Sequence, residues 1–252
     1  MAVLKIIGLA LLSAVALILA LFILYCLLII VSSLFIDTKK DYRKNSGYFR
    51  FLLDSATWLM VVLLRIHVHT SGLEKLPEGR FLFVSNHRSN FDPILSWYVL
   101  KKQKLAYISK DGNFKIPFFG KIIRRCCFMN IDRKSAKEAM VTVNKAADLM
   151  KSDEVSVGVY PEGTRNKTGE RVLLPFHSGI YMIAKKAGVP VVVASVKGTE
   201  KIHRNFPKRS SDVYIDIIDV IDAEYIKTHK CDDISTLTYE KIYNNITEGK
   251  NQ

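Results

Sequence analysis

A histidine stands five positions ahead of an aspartate in the stretch Asn86-His87-Arg88-Ser89-Asn90-Phe91-Asp92-Pro93. An imidazole titrates near neutral pH and so suits a general base. A carboxylate bonded to one ring nitrogen fixes the tautomer and leaves the other nitrogen to take a proton. A regular helix would set side chains five apart at roughly 140° to one another. His87 and Asp92 therefore meet only if the chain turns between them. Ser89-Asn90 is turn material, and Pro93 suits the first position of a following helix. Asp92 also reads as the N-cap of that helix, a role compatible with catalysis.

A second stretch, Tyr160-Pro161-Glu162-Gly163-Thr164-Arg165, follows another apolar run. Gly163 lets the backbone turn and approach an anion, Thr164 adds a hydroxyl donor, and Arg165 offers a bidentate grip on phosphate. Glu162 cannot hold phosphate and instead orients the arginine or the backbone. The alternative is a surface turn with an exposed ion pair. The Gly-Lys-Ser/Thr ending of a Walker loop is absent. In Phe128-Met129-Asn130-Ile131-Asp132-Arg133, apolar residues lead to a second arginine, Arg133, which either joins the anion or lies exposed near a helix start. A base with a carboxylate partner and a separate anion cradle point to chemistry on a phosphorylated alcohol.

Other constellations are weaker. His67 and His69 alternate on an expected strand and share a face, but no third metal ligand lies nearby, which favours a structural role. Ser85 and Ser89 flank His87 without a Gly-x-Ser-x-Gly elbow. Cys26, Cys126, Cys127 and Cys231 show no Cys-x-x-Cys spacing. They read as reduced thiols, which favours the cytosolic side of a membrane.

The elements that must position these residues alternate. Arg80–Ser85 reads as a buried strand, with a helix from Asp92 toward Val99. Ser135-x-x-Glu138 is a capping box that opens a helix through Met140, Val143, Ala147 and Met150. Val155–Tyr160 reads as the next strand. Phe176, Ile180, Ala184 and Ala187 line one face of a helix stopped by Gly188 and Pro190. Val189–Val196 and Val213–Ile221 read as strands, and Tyr239, Ile242, Tyr243 and Ile246 mark a final helix. This pattern implies an α/β domain, with flanking helices on one mixed, largely parallel sheet. Sites in such sheets form beyond the carboxyl ends of strands, where both motifs fall.

Ile6–Val31 contains no charged residue. As a helix those residues span about 39 Å, against a hydrocarbon core of roughly 30 Å, and the run is too long for a cleaved signal peptide. Lys39, Lys40, Arg43 and Lys44 follow it, so the positive-inside rule expects the remainder on the cytoplasmic side. Phe51–Ile66, broken by Asp54, carries Trp58 between Arg50 and Arg65. It reads as an interfacial helix or as an ordinary buried one. The expected organisation is an anchor at 1–36, a basic linker with the interfacial helix at 37–66, and a catalytic domain at 67–252. The net charge of +13 fits an anionic lipid surface better than nucleic acid, for which no recognition motif is present.

With these blocks in order, residues 66 to 200 resemble the 1-acyl-glycerol-3-phosphate acyltransferases of the wider glycerolipid acyltransferase superfamily. Asn86-His87-x-x-x-x-Asp92 resembles the catalytic block. Lys110 through Pro117-Phe118-Phe119-Gly120, Phe128 to Arg133, Pro161 to Arg165 and Val189-Pro190-Val191-Val192 resemble the others. Val193 stands where a second proline is common, and His177 where a lysine often follows Phe176. The resemblance implies that His87, oriented by Asp92, deprotonates the free hydroxyl of lysophosphatidate for attack on the thioester of acyl-CoA or acyl-carrier protein. It implies that Gly163, Thr164, Arg165, Arg133 and, more weakly, Lys110 hold the phosphate, with Glu162 in the same block. No cofactor, metal or acyl-enzyme is expected. Other readings are the same transfer to glycerol-3-phosphate or another lysophospholipid, a noncatalytic module binding anionic lipid, and a membrane-anchored hydrolase.

Overall fold

The computed structural model describes residues 1–132, 135–167 and 172–248. Its centre is a seven-stranded sheet in the order β1-β7-β6-β2-β5-β3-β4. The strands are β1 (Ile66–Ser71), β2 (Leu82–Ser85), β3 (Leu105–Ser109), β4 (Met129–Asn130), β5 (Ser156–Val159), β6 (Val191–Lys197) and β7 (Ser211–Ile221). All neighbours pair in parallel except β6 and β7. The fold class is therefore as expected, a single mixed and largely parallel sheet. The antiparallel β6–β7 pair puts the carboxyl ends of β6, β2, β5, β3 and β4 at one end of the sheet, beside the first residues of β7 and β1.

Helices cover both faces. They are α1 (Ala2–Leu34), α2 (Gly47–Leu63), α3 (Phe91–Val99), α4 (Asp111–Phe114), α5 (Phe119–Arg125), α6 (Ala136–Lys151), α7 (Met182–Ala187), α8 (Ile202–Asn205), α9 (Ala223–Thr228) and α10 (Cys231–Glu248). Every residue of β2 and β5 is buried, which explains their apolar sequence. On one face, Leu82, Val84, Val157, Val191 and Val193 pack with Ala146, Leu149, Ile183, Ile242 and their neighbours. On the other, Phe81, Phe83, Val192 and Ala194 pack with Trp97, Leu100 and Tyr107.

The capping box forms: Ser135 Oγ accepts the Glu138 N–H at 3.2 Å at the start of α6. Gly188 ends α7 in the left-handed region at φ 70°. The helix expected from Phe176 instead begins as a 3-10 turn at Ser178–Tyr181 and becomes α-helical only at Met182. Gly120 has no room for a side chain, since a Cβ would lie 2.4 Å from the Phe114 carbonyl oxygen where α4 meets α5.

Helix α1 is long and apolar enough to cross a membrane, and its most apolar stretch is 0% buried. It is the N-terminal apolar helix that the sequence leads one to expect. Helix α2 is two-sided. Leu52, Thr57 and Val61 are buried, while Phe51, Trp58, Val62 and Leu63 are exposed. Arg50 departs from its expected place at the membrane interface. It is buried, donates to the Leu105 carbonyl at 3.2 Å and to Asn45 Oδ1 at 3.0 Å, and lies over the Trp97 ring. Asp54 accepts the Trp97 indole N–H, so the charge that interrupts the apolar run docks α2 on α3. All four cysteines are free, and burial pushes the Cys126 thiol up to about 12 and Cys127 up to about 11.

Candidate active site

His87 and Asp92 are in contact. His87 Nδ1 lies 2.8 Å from Asp92 Oδ2. The turn between them is built by the aspartate itself: Oδ2 also accepts the Arg88 N–H at 2.7 Å and the Ser89 N–H at 2.8 Å. This corrects the expected N-cap. Helix α3 begins at Phe91 with Asn90 as its cap, so Asp92 lies inside the first turn and Pro93 one place further in. The carboxylate reaches back to loop N–H groups rather than forward into its own helix. Asp92 is fully buried and the His87 side chain is 18% exposed. With Nδ1 held, Nε2 is the ring nitrogen left to take a proton.

Further contacts hold the pair, and none of them was legible in the motif spacing. Thr199 Oγ1, just past the end of β6, donates to Asp92 Oδ1 from a fully buried position. Asn86 binds Val196 through both halves of its amide, accepting its N–H and donating to its carbonyl, each at 2.8 Å. The β2–β6 ladder thus extends beyond its last strand pair, up to His87. The His87 ring stacks on Tyr160 at 4.3 Å between centroids, and Tyr160 on Tyr107 at 5.8 Å. Gly158 makes this stack possible, since a Cβ there would lie 2.3 Å from the Tyr107 ring. Burial pushes both phenols well above their ordinary range, so they stay protonated.

Glu162 is 3% exposed, and both of its oxygens are used by the protein. Oε1 accepts the His87 N–H at 2.6 Å, and Oε2 the Leu174 N–H at 2.9 Å. Of the two roles expected for it, the structure shows backbone orientation. Any effect of Glu162 on a substrate runs through the loops it joins. Burial raises its carboxyl above the usual range, against the lowering effect of the two N–H groups. Asn166 N–H donates to the His87 carbonyl at 2.7 Å, tying the two motif loops together a second time.

The described anion candidates, Gly163, Thr164, Arg165 and Lys110, lie at the same end of the sheet. Gly163 takes φ 66°, the left-handed conformation that glycine tolerates best, and closes a turn with its N–H on the Tyr160 carbonyl at 3.0 Å. Thr164 is exposed and Arg165 half-buried, with no hydrogen bond or ion pair to its guanidinium among the described residues. Lys110 is exposed at the carboxyl end of β3 and caps α4 with its backbone; it does not touch the His87–Asp92 pair. Arg133 lies outside the described residues. His67 and His69 lie on β1 at the sheet edge. His69 pairs with Asp212 at 2.9 Å, and no metal-binding cluster exists among the described residues.

A family model described as Acyltransferase matches residues 67–197. The 1-acyl-sn-glycerol-3-phosphate acyltransferase of Haemophilus influenzae is 28% identical over 171 residues, covering 68% of this chain and 70% of that one. The Saccharomyces cerevisiae protein of the same name is 27% identical over 144 residues, covering 57% and 47%. The Escherichia coli one is 30% identical over 128 residues, covering 50% and 51%. The chain thus spans only about half the length of the yeast and E. coli relatives. The crystal structure of the 1-acyl-sn-glycerophosphate acyltransferase from Thermotoga maritima matches with a TM-score of 0.69 at 23% identity, over 91% of this chain and 90% of that one. At that identity the likeness establishes the fold. The span matched by the family model holds both the His87–Asp92 pair and the Glu162–Arg165 turn, and the chain belongs to the acyltransferase family.

Proposed function

We propose that this protein transfers a fatty acyl group from a thioester to the free hydroxyl of 1-acyl-glycerol-3-phosphate, giving phosphatidic acid. The observation that carries the reading is the His87–Asp92 contact at 2.8 Å, with the carboxylate fully buried and the imidazole partly open. His87 takes the hydroxyl proton through Nε2 as the oxygen attacks the thioester carbonyl. The new C–O bond forms, the C–S bond breaks, and the imidazolium returns the proton to the departing thiolate. Asp92 stabilises the imidazolium meanwhile. No acyl-enzyme is needed. Arg165, Thr164, Gly163 and Arg133, with Lys110 at the rim, hold the acceptor phosphate, and this grip supplies proximity. The names of the curated relatives support this acceptor. The donor is acyl-CoA or acyl-carrier protein.

Helix α1 anchors the chain in the membrane, and Lys39, Lys40, Arg43 and Lys44 after it favour a cytoplasmic catalytic domain. The organisation proposed is anchor 1–36, linker and interfacial helix 37–66, and catalytic domain 67–252. The exposed Trp58 and Phe51 of α2 support its interfacial part.

The test is a panel of acceptors offered to the purified full chain in detergent, with acyl-CoA and acyl-carrier-protein thioesters each as donor. The expected result is fastest acylation of 1-acyl-glycerol-3-phosphate. Preference for glycerol-3-phosphate or an uncharged-headgroup lysolipid would reassign the acceptor, and thioester cleavage without acceptor would make the protein a hydrolase.

A further inference from the structure

The hairpin between β6 and β7 sits at the site end of the sheet and has two unlike sides. Its inner side is fixed. Gly198 takes φ 91°, with no space for a Cβ against the Asp212 carbonyl oxygen, Thr199 bonds Asp92, and Ile202 is 1% exposed. Its outer side carries Lys201, Arg204, Phe206, Lys208 and Arg209, all exposed. None of these four cations makes an ion pair among the described residues. The only carboxylate in the segment is Glu200. Unpaired cations so close together repel one another, and an exposed phenylalanine among them gains nothing from water. An anionic surface with an apolar layer beneath it satisfies both.

The fold indicates where such a surface lies. Tyr25 and Ser55 hydroxyls meet at 2.7 Å and Ser32 and Tyr48 hydroxyls at 2.6 Å, so α1 and α2 run antiparallel. In that register Leu17 is level with Leu63, the last residue of α2, and Ala2 to Ala16 continue past it for roughly 22 Å. Helix α2 itself ends beside the hairpin. Arg65 leads into β1, whose first residue pairs with Ser211, the first of β7, and the Arg65 guanidinium bonds the Pro207 carbonyl. The free apolar half of α1, the exposed Val62 and Leu63 of α2, the basic hairpin and His87 therefore all lie at one end of the sheet.

We propose that the 201–209 loop docks on anionic lipid headgroups, seating the mouth of the site on the bilayer from which the acceptor is drawn. The loop is tied to the catalytic pair through Thr199 and through the packing of His203 on Phe91, with ring centroids 4.9 Å apart. Docking therefore bears on the same elements that hold Asp92. This lipid-recognition surface lies outside the phosphate-holding residues and serves whichever acceptor is acylated.

The test is amide hydrogen exchange of the full chain in lipid discs, one set of phosphatidylcholine alone and one with added phosphatidylglycerol. The expected result is exchange at 201–209 slowed about fivefold or more by the anionic lipid, the effect of even one Lys or Arg at such a surface, with α6 unchanged. The combined variant Lys201→Gln, Arg204→Gln, Lys208→Gln, Arg209→Gln should lose the difference and keep wild-type acyl transfer in detergent. Equal exchange in both discs, or a difference that survives in the variant, overturns the proposal. Protection by RNA or polyglutamate in phosphatidylcholine discs, without a response to phosphatidylglycerol, assigns the loop to another partner and overturns it as well.

Discussion

Replacing Asp92 by asparagine separates the charge of this residue from its place in the fold. Oδ2 accepts from His87 Nδ1 and from the Arg88 and Ser89 N–H groups, and Oδ1 accepts from Thr199. An asparagine can put its carbonyl oxygen where Oδ2 was and its amide nitrogen toward Thr199, whose hydroxyl then turns to accept. The loop, the tautomer and the burial all survive, and only the negative charge is lost. Taking charge centres about 4 Å apart and an effective dielectric near 20, the imidazolium formed during transfer loses about 4 kcal/mol of stabilisation. That corresponds to roughly a thousandfold in rate. Asp92→Ala does something different: it strands the buried Ser89 N–H at about 1–3 kcal/mol and the half-buried Arg88 N–H at less, and should lower the melting temperature as well. Steady-state acyl transfer and thermal melts on both variants decide. Asp92→Asn should melt near the wild type with kcat down about a thousandfold, and Asp92→Ala should lose both activity and stability. A folded Asp92→Asn enzyme with a tenth or more of wild-type kcat would refute the electrostatic role. One that melts as early as Asp92→Ala would refute the geometric argument.

Thr199→Val is isosteric but removes a bond to a buried charge worth about 1.5–3 kcal/mol; it should lower kcat with both KM values unchanged, while Thr199→Ser retains most activity. Gly158→Ala forces the Tyr107 ring off its seat and, by overpacking, should cost about 1–3 kcal/mol in denaturant melts, with a fall in kcat as Tyr160 shifts against His87. Arg165→Ala should raise the acceptor KM about tenfold or more, the loss expected for a charge-assisted bond, with the donor KM little changed; equal KM values would remove Arg165 from the anion site. Glu162 has its folded value raised by burial, so the native state binds its proton more readily than the unfolded chain. Its contribution to stability is full below the ordinary glutamate range and is lost as pH rises through the raised value. Glu162→Gln should abolish that component of the stability–pH profile, and an unaltered slope would contradict the assignment.

The strands that end at the site were legible because burial on both faces makes them continuous apolar runs, as in Phe81–Val84 and Val155–Val159. Their motifs follow at once, so the placement of His87 and Glu162 at strand ends came with them. Strand order was not legible, since parallel pairing leaves no local signal; β4, with two residues, is too short for a pattern to exist. Asp92 was assigned the wrong local partner because an N-cap and a loop-closing carboxylate share one sequence signature. Thr199 escaped notice because it lies 107 residues from Asp92, and a lone threonine after a glycine reads as a turn. Tyr160 reads in the sequence only as the last residue of a strand, and nothing in the spacing signals its stacking on His87 and on the Tyr107 ring that Gly158 seats. Arg50 reads as one flank of an interfacial or ordinary buried helix and Asp54 as a break within it, whereas both are spent on Trp97.

The central claim is that His87 is the general base of acyl transfer. Its most direct test is the single-turnover rate of transfer from an acyl thioester to 1-acyl-glycerol-3-phosphate by the purified full chain and by His87→Ala, with a thermal melt confirming that the variant is folded. General-base catalysis of this kind contributes about 10²–10⁴-fold, so the variant should retain no more than about a hundredth of the wild-type rate. A folded His87→Ala protein that keeps a tenth or more of that rate would contradict the account.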